Sequence, residues 1–207
     1  MARAVAADLL DLEAVVVRPA DPFTWASGLK APIYTDNRLT LSSPEARGRI
    51  ADGLQDLIVS AGISPEIIAG TATAGIPHAT LLADRMALPL AYIRSEAKGH
   101  GKGNRIEGRI DAGRRVVVVE DLVSTGGSSL AAVEAVREQG AVVEAVIAVF
   151  SYGFVEARQR FDEAGIPLLV LTTFDVLVEV AASRHLISET ERAGLLAWRE
   201  APRTWKP

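Results

Sequence analysis

Two adjacent acidic residues, Glu120 and Asp121, directly follow the apolar run at residues 116–119. Four consecutive valines cannot alternate in polarity, so they indicate a parallel strand that is covered on both faces. We expect the buried part of that strand to end at Glu120. A carboxylate in such a place must be solvated, paired or bound to a ligand, because an isolated buried charge is costly. The acidic pair therefore predicts a site for a polar ligand.

A loop rich in hydroxyl groups and glycine follows the acidic pair. Its residues are Ser124, Thr125, Gly126, Gly127 and Ser128, and a helical pattern begins directly after it. Free backbone N–H groups at a helix N-terminus bind anions. The two halves together predict a phosphorylated-sugar site, in which the acids accept hydrogen bonds from vicinal hydroxyls and the loop holds a phosphate. An ordinary strand-to-helix turn would explain a capping serine but not the acids, and the sequence has no Walker A pattern.

A second loop of small residues lies between a predicted strand at Ile67 and Ile68 and another helical pattern. Its residues are Thr71, Ala72, Thr73, Ala74 and Gly75. This loop has the same capacity to hold an anion at a helix N-terminus. A tight turn that needs glycine for close packing explains the stretch equally well.

The third candidate region is a charged segment, residues 94–110, which is rich in glycine and too poor in apolar residues to pack as a helix or strand. We expect a mobile loop that closes over the ligand as a lid. The cations that can then meet a phosphate are Arg94, Lys98, His100 and Lys102. A solvated run of charges is the alternative, and it also describes Arg105 and Arg109.

Strands and helices alternate along most of the chain, which predicts an α/β fold with a doubly wound, mainly parallel sheet and flanking helices. We expect a single domain over residues 1–207, with residues 1–40 as a small N-terminal hood. Ligands bind such sheets outside the carboxyl ends of the strands, where all three loops emerge. Ser42 with Glu45, and Ser188 with Glu191, have the spacing of capping boxes and predict the starts of two helices.

The composition narrows the classes of function. The 207 residues are 49% hydrophobic, which suits one substantial core. A net charge of −4 gives no general attraction to nucleic acid, and no apolar run is long enough to predict a membrane span. The absence of cysteine excludes disulfides and thiolate zinc sites and fits a cytoplasmic protein.

Four stretches together resemble the orotate phosphoribosyltransferases, a type I phosphoribosyltransferase family. They read F-T-W-A-S-G-L-K-A-P-I-Y-T-D-N-R from residue 23, G-T-A-T-A-G-I-P-H-A from 70, R-S-E-A-K-G-H-G from 94 and V-V-V-V-E-D-L-V-S-T-G-G-S from 116. The last stretch is common to the superfamily, whereas the first and third point to orotate. Ala26, Ala74 and Ser95 agree with the Bacillus-like branch, since enteric-type members carry lysines there and an orotate-binding arginine near Tyr152.

The resemblance implies an enzyme of pyrimidine biosynthesis that transfers the phosphoribosyl group of phosphoribosyl pyrophosphate (PRPP) to N1 of orotate. The PRPP-binding residues that it implies are Arg94, Lys98, His100, Glu120, Asp121, Leu122, Val123, Ser124, Thr125, Gly126, Gly127 and Ser128. Residues 71–75 would be the pyrophosphate loop, and Lys98 and His100 the catalytic residues of the lid. Mg²⁺ would be held through PRPP, with only indirect help from the acidic pair.

For the base, the resemblance implies that Ser124 contacts orotate, and Lys30 and Tyr34 are further candidates. Lys30, Arg38 and backbone N–H groups near Tyr34 are the candidates to bind the orotate carboxylate. The family also implies a homodimer in which the lid loop serves the neighbouring subunit's site.

Two other functions share parts of this pattern. A purine or xanthine phosphoribosyltransferase has the same central motif and stacks the purine on a late aromatic residue, for which Phe150, Tyr152 and Phe174 are candidates. Some proteins of this fold are instead PRPP-sensing regulators that bind nucleic acid. The sequence shows no winged-helix pattern and no basic face beyond the lid, which argues against a regulator.

Overall fold

The structure, a computed structural model, describes residues 1–25, 28–96 and 105–205. The strands are β1 (Val15–Val17), β2 (Phe23–Thr24), β3 (Lys30–Ala31), β4 (Ile33–Thr35), β5 (Ile67–Thr71), β6 (Leu90–Ile93), β7 (Ile106–Glu107), β8 (Arg115–Val123), β9 (Val142–Ser151) and β10 (Leu168–Thr173). The helices are α1 (Ala2–Asp11), α2 (Pro44–Ser60), α3 (Gly75–Met86), α4 (Gly127–Glu138), α5 (Val155–Ala164), α6 (Phe174–Ser183) and α7 (Glu189–Glu200), with a 3-10 helix at Asn37–Ser42.

A six-stranded sheet in the order β10-β9-β8-β5-β6-β7 forms the centre of the fold. The first five strands are parallel, and β7 joins the edge antiparallel to β6. This confirms the predicted doubly wound, mainly parallel sheet and supplies the strand order, which the sequence does not reveal. Because β5 and β8 are neighbours, the loops that follow them emerge side by side at one edge of the sheet.

The valines at 116–119 are buried because helices cover both faces of the sheet. Val117 and Val119 pack in a cluster with residues of α1, α2, α3, α6 and α7, whereas Val116 and Val118 pack with residues of α4 and α5. All four are 0% exposed. The burial expected to end at Glu120 does decrease there, since Asp121 and Leu122 are half-buried, but the strand continues to Val123, which is buried again and still pairs with β9.

Both predicted helix starts are confirmed, but of the two predicted capping boxes the one at Ser42 was wrong. The N-cap of α2 is Ser43 rather than Ser42, and its side-chain oxygen accepts a hydrogen bond from the N–H of Ala46 at 3.2 Å. Pro44 occupies the first helical position, which its fixed φ favours, and this sets the cap one residue later than expected. The box of Ser188 and Glu191 at the start of α7 is confirmed.

The segment predicted as one lid loop at residues 94–110 is ordered into a strand near its end. The N–H of Arg94 donates to the carbonyl of Arg105 at 2.8 Å, and Nε of Arg105 donates back to the carbonyl of Arg94 at 3.0 Å. Ile106 and Ile110 are buried and anchor the returning chain. The connection between β6 and β7 is therefore shorter than the predicted lid, and the rest of the segment belongs to the body of the domain.

The start of α3 lies so close to β8 that only glycine fits at residue 75. A Cβ atom there would overlap Oγ1 of Thr71 and would lie 2.5 Å from the carbonyl oxygen of Val119. We expect Gly75→Ala to lower the free energy of unfolding by about 1–3 kcal/mol, because backbone atoms would have to move apart. Equilibrium urea denaturation measures this change.

Gly194→Ala is the matched control, since a Cβ atom at that position in α7 meets no other atom within 4 Å. It should raise the free energy of unfolding by roughly 0.5–1 kcal/mol, because alanine favours a helix more than glycine does. Equal stability of the two variants would contradict the close packing of α3 on β8.

Candidate active site

Glu120 joins the two candidate phosphate loops. Its side chain is only 6% exposed, yet both carboxylate oxygens have protein donors. Oε1 accepts from the hydroxyl of Thr71 at 2.6 Å, and Oε2 accepts from the hydroxyls of Ser128 at 3.2 Å and Ser129 at 3.0 Å. A buried carboxylate is stable when donors satisfy it in this way. Glu120 thus fixes the end of β5 and the start of α4 relative to each other.

Asp121 has a different environment from that of its neighbour. Burial, followed by the charge of Glu120, raises the pKa of Asp121 to about 7. Its backbone carbonyl accepts a hydrogen bond from Nδ2 of Asn37 at 2.7 Å, which ties the 3-10 helix to the acidic pair. A carboxylate with a raised pKa gains most from a ligand that brings hydroxyl donors or positive charge.

The two helices that follow the loops begin without protein caps. Among the residues that the structure describes, no side chain caps α3 or α4, and neither helix has an acidic residue in its first turn. By contrast, α2, α6 and α7 each have a capping Ser or Thr and an acidic residue in the first turn. First-turn N–H groups of α3 and α4 therefore have the capacity to bind anions.

The first loop, residues 124–128, leads directly into the uncapped N-terminus of α4. Gly126 adopts φ 80° and ψ 0° at the N-cap of α4, a left-handed conformation that favours glycine. Gly127 and Ser128 are exposed in the first turn of the helix. Val123 differs, since its side chain is buried and its carbonyl accepts from the N–H of Tyr152, so its role is structural.

The second loop lies directly opposite. Thr71 is buried, Ala72 and Ala74 are half-buried, and Thr73 is exposed, while Gly75 packs against β8. The peptide bond between Ala72 and Thr73 is cis. The two loops predicted from the sequence thus converge at the carboxyl ends of β5 and β8, with the acidic pair between them.

A cavity of about 290 Å³ adjoins the first loop. The residues that line it are Thr24, Trp25, Tyr34, Thr35, Leu122, Ser124 and Tyr152. Two of the predicted base-binding residues, Ser124 and Tyr34, are among them. The third, Lys30, does not line the cavity, but its ammonium group donates to the hydroxyl of Thr24 at 2.7 Å and so lies one residue behind the wall.

Arg38 is engaged elsewhere. Its guanidinium donates to both carboxylate oxygens of Asp36, at 2.6 and 2.8 Å, and this interaction holds the pKa of Asp36 below its ordinary value. A larger cavity of about 760 Å³ shares Trp25 and Ser124 with the smaller one. It extends from Thr125 of the first loop to the C-terminal segment around Arg203.

Aromatic packing holds the wall of the smaller cavity in place. Trp25 lies 5.3 Å from the ring of Tyr152 and 5.7 Å from that of Trp198, which is fully buried in α7. Nε1 of Trp25 donates to the carbonyl of Ile33, and Nε1 of Trp198 donates to the carbonyl of Lys30. The N-terminal strands are thereby fixed to the C-terminal helix.

The predicted lid residues are only partly placed. Lys98 and His100, with Lys102, lie outside the described residues. Arg94 stands at the end of β6, where its guanidinium lies 3.6 Å from a carboxylate oxygen of Glu107. Arg105 donates to the carbonyls of Arg94 and Ala131, so it has a structural role, whereas Arg109 is an exposed partner of Asp111.

Sequence reasoning did not identify the contacts that three residues make in the site. Thr35 and Asn37 lie in the stretch from residue 23 and Ser129 directly follows the first loop, but only the fold brings them to Tyr152, Asp121 and Glu120 respectively.

Comparisons with known proteins agree with this geometry. The model of the phosphoribosyl transferase domain matches residues 41–164. An orotate phosphoribosyltransferase of Staphylococcus saprophyticus is 52% identical, over 97% of this chain and 98% of its own length. Among solved structures, the orotate phosphoribosyltransferase of Aeropyrum pernix is similar with a TM-score of 0.77 and 29% identity, over 89% of this chain and 99% of that one.

The orotate phosphoribosyltransferase of Mycobacterium tuberculosis in complex with PRPP is also similar, with a TM-score of 0.67 and 26% identity, over 86% of this chain and 99% of that one. The chain therefore belongs to the phosphoribosyltransferase family and, within it, to the orotate phosphoribosyltransferases. The resemblance recognised in the four sequence stretches is confirmed.

Across residues 1–25, 28–96 and 105–205, no helix is both long and apolar enough to cross a membrane. Within the same ranges, no three His, Cys, Asp or Glu side chains converge as a metal site.

The raised pKa of Asp121 leads to a prediction for the ligand-free protein. The pKa of this carboxyl group is about 7 in the folded protein and 3.8 ordinarily. Its contribution to the stability of the folded state is therefore fully present below pH 4 and is lost as the pH rises through 7. Asp121→Asn should therefore raise the melting temperature by several degrees at pH 8, with roughly 4 kcal/mol as an upper limit. This gain in melting temperature should decrease to nearly zero at pH 4.

Thermal unfolding at both pH values, without ligands, checks this expectation. Asp56→Asn is the control, because Asp56 is exposed in the middle of α2. A gain for Asp121→Asn that is equally large at pH 4 and pH 8 would show that the charge of Asp121 is not its cause.

Proposed function

We propose that this protein transfers the phosphoribosyl group of PRPP to N1 of orotate, giving orotidine 5′-monophosphate and pyrophosphate in pyrimidine biosynthesis. The observation that carries the proposal is the placement of two uncapped helix N-termini on either side of the acidic pair. A ligand with a phosphate group at each end and a diol between them fits that arrangement. The 52% identity to an orotate phosphoribosyltransferase over nearly the whole chain supports the choice of base.

The proposed contacts of PRPP follow from the loops. Backbone N–H groups and hydroxyls of residues 124–128 bind the 5′-phosphate, and residues 71–75 bind the pyrophosphate. Asp121 accepts hydrogen bonds from the ribose hydroxyls. Glu120 supports this by holding the two loops together. Its Oε1 already accepts from Thr71 and from the N–H of Asp121, and its Oε2 from Ser128 and Ser129, so a ribose hydroxyl would bind Glu120 in place of the exposed Ser128 hydroxyl.

Mg²⁺ fits the donor set at this site. Asp121 offers carboxylate oxygens in a place where burial and the charge of Glu120 raise its pKa, and a hard cation relieves that repulsion. When bound, Mg²⁺ would supply positive charge that offsets the charge of the pyrophosphate leaving group. We infer that PRPP supplies most of its ligands, with Glu120 and Asp121 acting indirectly.

We place orotate in the 290 Å³ cavity beside Ser124 and Tyr34. Lys30 is the favoured partner of the orotate carboxylate, since its ammonium group is already bound to the cavity-lining Thr24, whereas Arg38 is held by Asp36. The bond from the anomeric carbon to pyrophosphate breaks through an oxocarbenium-like state. The protein's part is to position both substrates and to stabilise charge on the leaving group.

The catalytic residues that we propose are Lys98 and His100 of the lid. Lys98 adds positive charge at the pyrophosphate, and His100, with an unperturbed pKa of about 6.5, can donate a proton to it. Arg94 at the start of the lid is a further pyrophosphate contact. We further infer a cytoplasmic homodimer in which the lid loop of one subunit serves the site of the other, and no nucleic-acid or membrane partner.

A purine phosphoribosyltransferase is the principal alternative, and the structure argues against it. Phe150 and Phe174, two of the three candidates for a purine-stacking ring, are 0% exposed in the core. Tyr152 reaches the cavity but is itself packed against Phe154 at 5.3 Å with the rings nearly parallel.

The test is to mix the purified protein with PRPP, Mg²⁺ and orotate and to follow the loss of the near-ultraviolet absorbance of orotate. Hypoxanthine, guanine, xanthine and adenine serve as competing bases. We expect orotate consumption that requires both PRPP and metal. Consumption of a purine with orotate untouched would overturn the choice of base, and PRPP binding without consumption of any base would favour a regulator.

Replacement of Lys98 tests the role of the lid. Lys98→Ala should lower kcat by about tenfold or more and change the affinity for PRPP less, because its charge acts mainly on the departing pyrophosphate. Arg109→Ala is the control, since Arg109 is 85% exposed and paired with Asp111. Steady-state kinetics with varied PRPP distinguish the two effects, and an unchanged kcat would remove Lys98 from catalysis.

A further inference from the structure

We propose that the hydroxyl groups of Tyr152 and Thr35 act as a pair that binds the imide edge of the pyrimidine, the N3–H group with a neighbouring carbonyl. This inference rests on the proposed function and names two specificity-determining residues for it. Both side chains line the 290 Å³ cavity. Thr35 lies in the stretch from residue 23 that points to orotate, but that stretch does not assign a role to its hydroxyl, and Tyr152 lies outside the four stretches.

The ring of Tyr152 is held rigidly by its neighbours. It packs edge-on against Phe150 and Trp198, at 5.3 and 5.9 Å, and stacks on Phe154 at 5.3 Å. The residue is only 3% exposed. A ring fixed on several sides presents its hydroxyl in one place, which is what a specific hydrogen bond to a ligand requires.

The hydrogen bonds of the pair leave capacity for a ligand. The hydroxyl of Tyr152 donates to Oγ1 of Thr35 at 3.0 Å, and that contact uses one of the two hydroxyl hydrogens. The hydrogen of Thr35 and a lone pair on the Tyr152 oxygen are left over. Together they form a donor beside an acceptor, which is the complement of a ring carbonyl beside a ring N–H.

The rest of the cavity wall suits a flat, polar, uncharged ring edge. Among the described residues that line it, none is charged, and the wall combines hydroxyls with the aromatic surfaces of Trp25 and Tyr34. Burial raises the pKa of Tyr152, so its hydroxyl keeps its proton across the physiological range. The pair thus stays a neutral donor and acceptor at any working pH.

The position of the cavity sets the direction in which the base enters. Ser124 belongs both to this wall and to the loop proposed to bind the 5′-phosphate, so the cavity opens onto the sugar site. Tyr152 and Thr35 lie on the cavity wall contributed by the end of β9 and by β4. The pair can therefore read the base while N1 faces the ribose.

The experiment compares hydroxyl deletions on both sides of the pair. Tyr152→Phe and Thr35→Val should each lower kcat/KM for orotate by about tenfold or more at saturating PRPP, with the KM for PRPP within about twofold. The double variant should be little worse than the poorer single variant, because the two hydroxyls act together. Thr35→Ser should restore activity, and Tyr92→Phe, a tyrosine of β6, should have no effect on orotate.

A substrate analogue separates binding of the base from mere support of the fold. The wild-type protein should strongly prefer orotate to 3-methylorotate, which lacks the N3–H group, and Tyr152→Phe should reduce that preference by about tenfold. If orotate is consumed by the wild type and both deletions leave kcat/KM and the preference unchanged, the pair has no role in base binding. If the wild type consumes no orotate at all, the proposed function fails and this inference fails with it.

Discussion

The structure depends on one buried carboxylate. Glu120 accepts hydrogen bonds from Thr71 on one side and from Ser128 and Ser129 on the other, so a single side chain sets the distance between two loops that are 49 and 8 residues away in sequence. Charge-assisted hydrogen bonds of this kind are strong inside a protein, and a buried charge without them would be costly. The two proposed phosphate sites therefore form one rigid unit.

The adjacent Asp121 shows the cost of this arrangement. Burial of Asp121, and then its repulsion by the charge of Glu120, raise the pKa of Asp121 in the ligand-free protein. Such a group is poorly placed for stability and well placed to bind hydroxyls or a cation, as is common at functional sites. The two neighbouring acids have separate roles, one that holds the site together and one that is left available.

Much of the fold, and the convergence of the two loops of the proposed sugar-phosphate site, could be predicted from the sequence, because both depend on local pattern. The valine run at 116–119 predicts a strand covered on both faces, and the small residues at 71–75 and 124–128 predict turns into helices. The base cavity could not be predicted in the same way. Thr35 and Tyr152 are 117 residues apart, and they meet only because the fold brings β4, a strand of a separate two-stranded sheet, to the end of β9.

Predictions from local sequence pattern were wrong where tertiary contacts determine the structure. The segment at 106–110 has few apolar residues, and it is ordered by two isoleucines that reach the core and by Arg105, which donates to the carbonyl of Ala131 on α4. Charge composition alone predicts a loop there. The strand order and the pairing of β7 with β6 have no signature in the sequence.

The bond from Trp198 to the carbonyl of Lys30 links the first strands of the chain to its last helix. Residues 15–35 are made early in synthesis, but the aromatic cluster that supports them is complete only when α7 has folded. The central sheet and both phosphate loops are encoded before that point. The wall that receives the base in our proposal is therefore rigid only when α7 has packed, whereas the Glu120 network that joins the two phosphate loops involves no residue of α7.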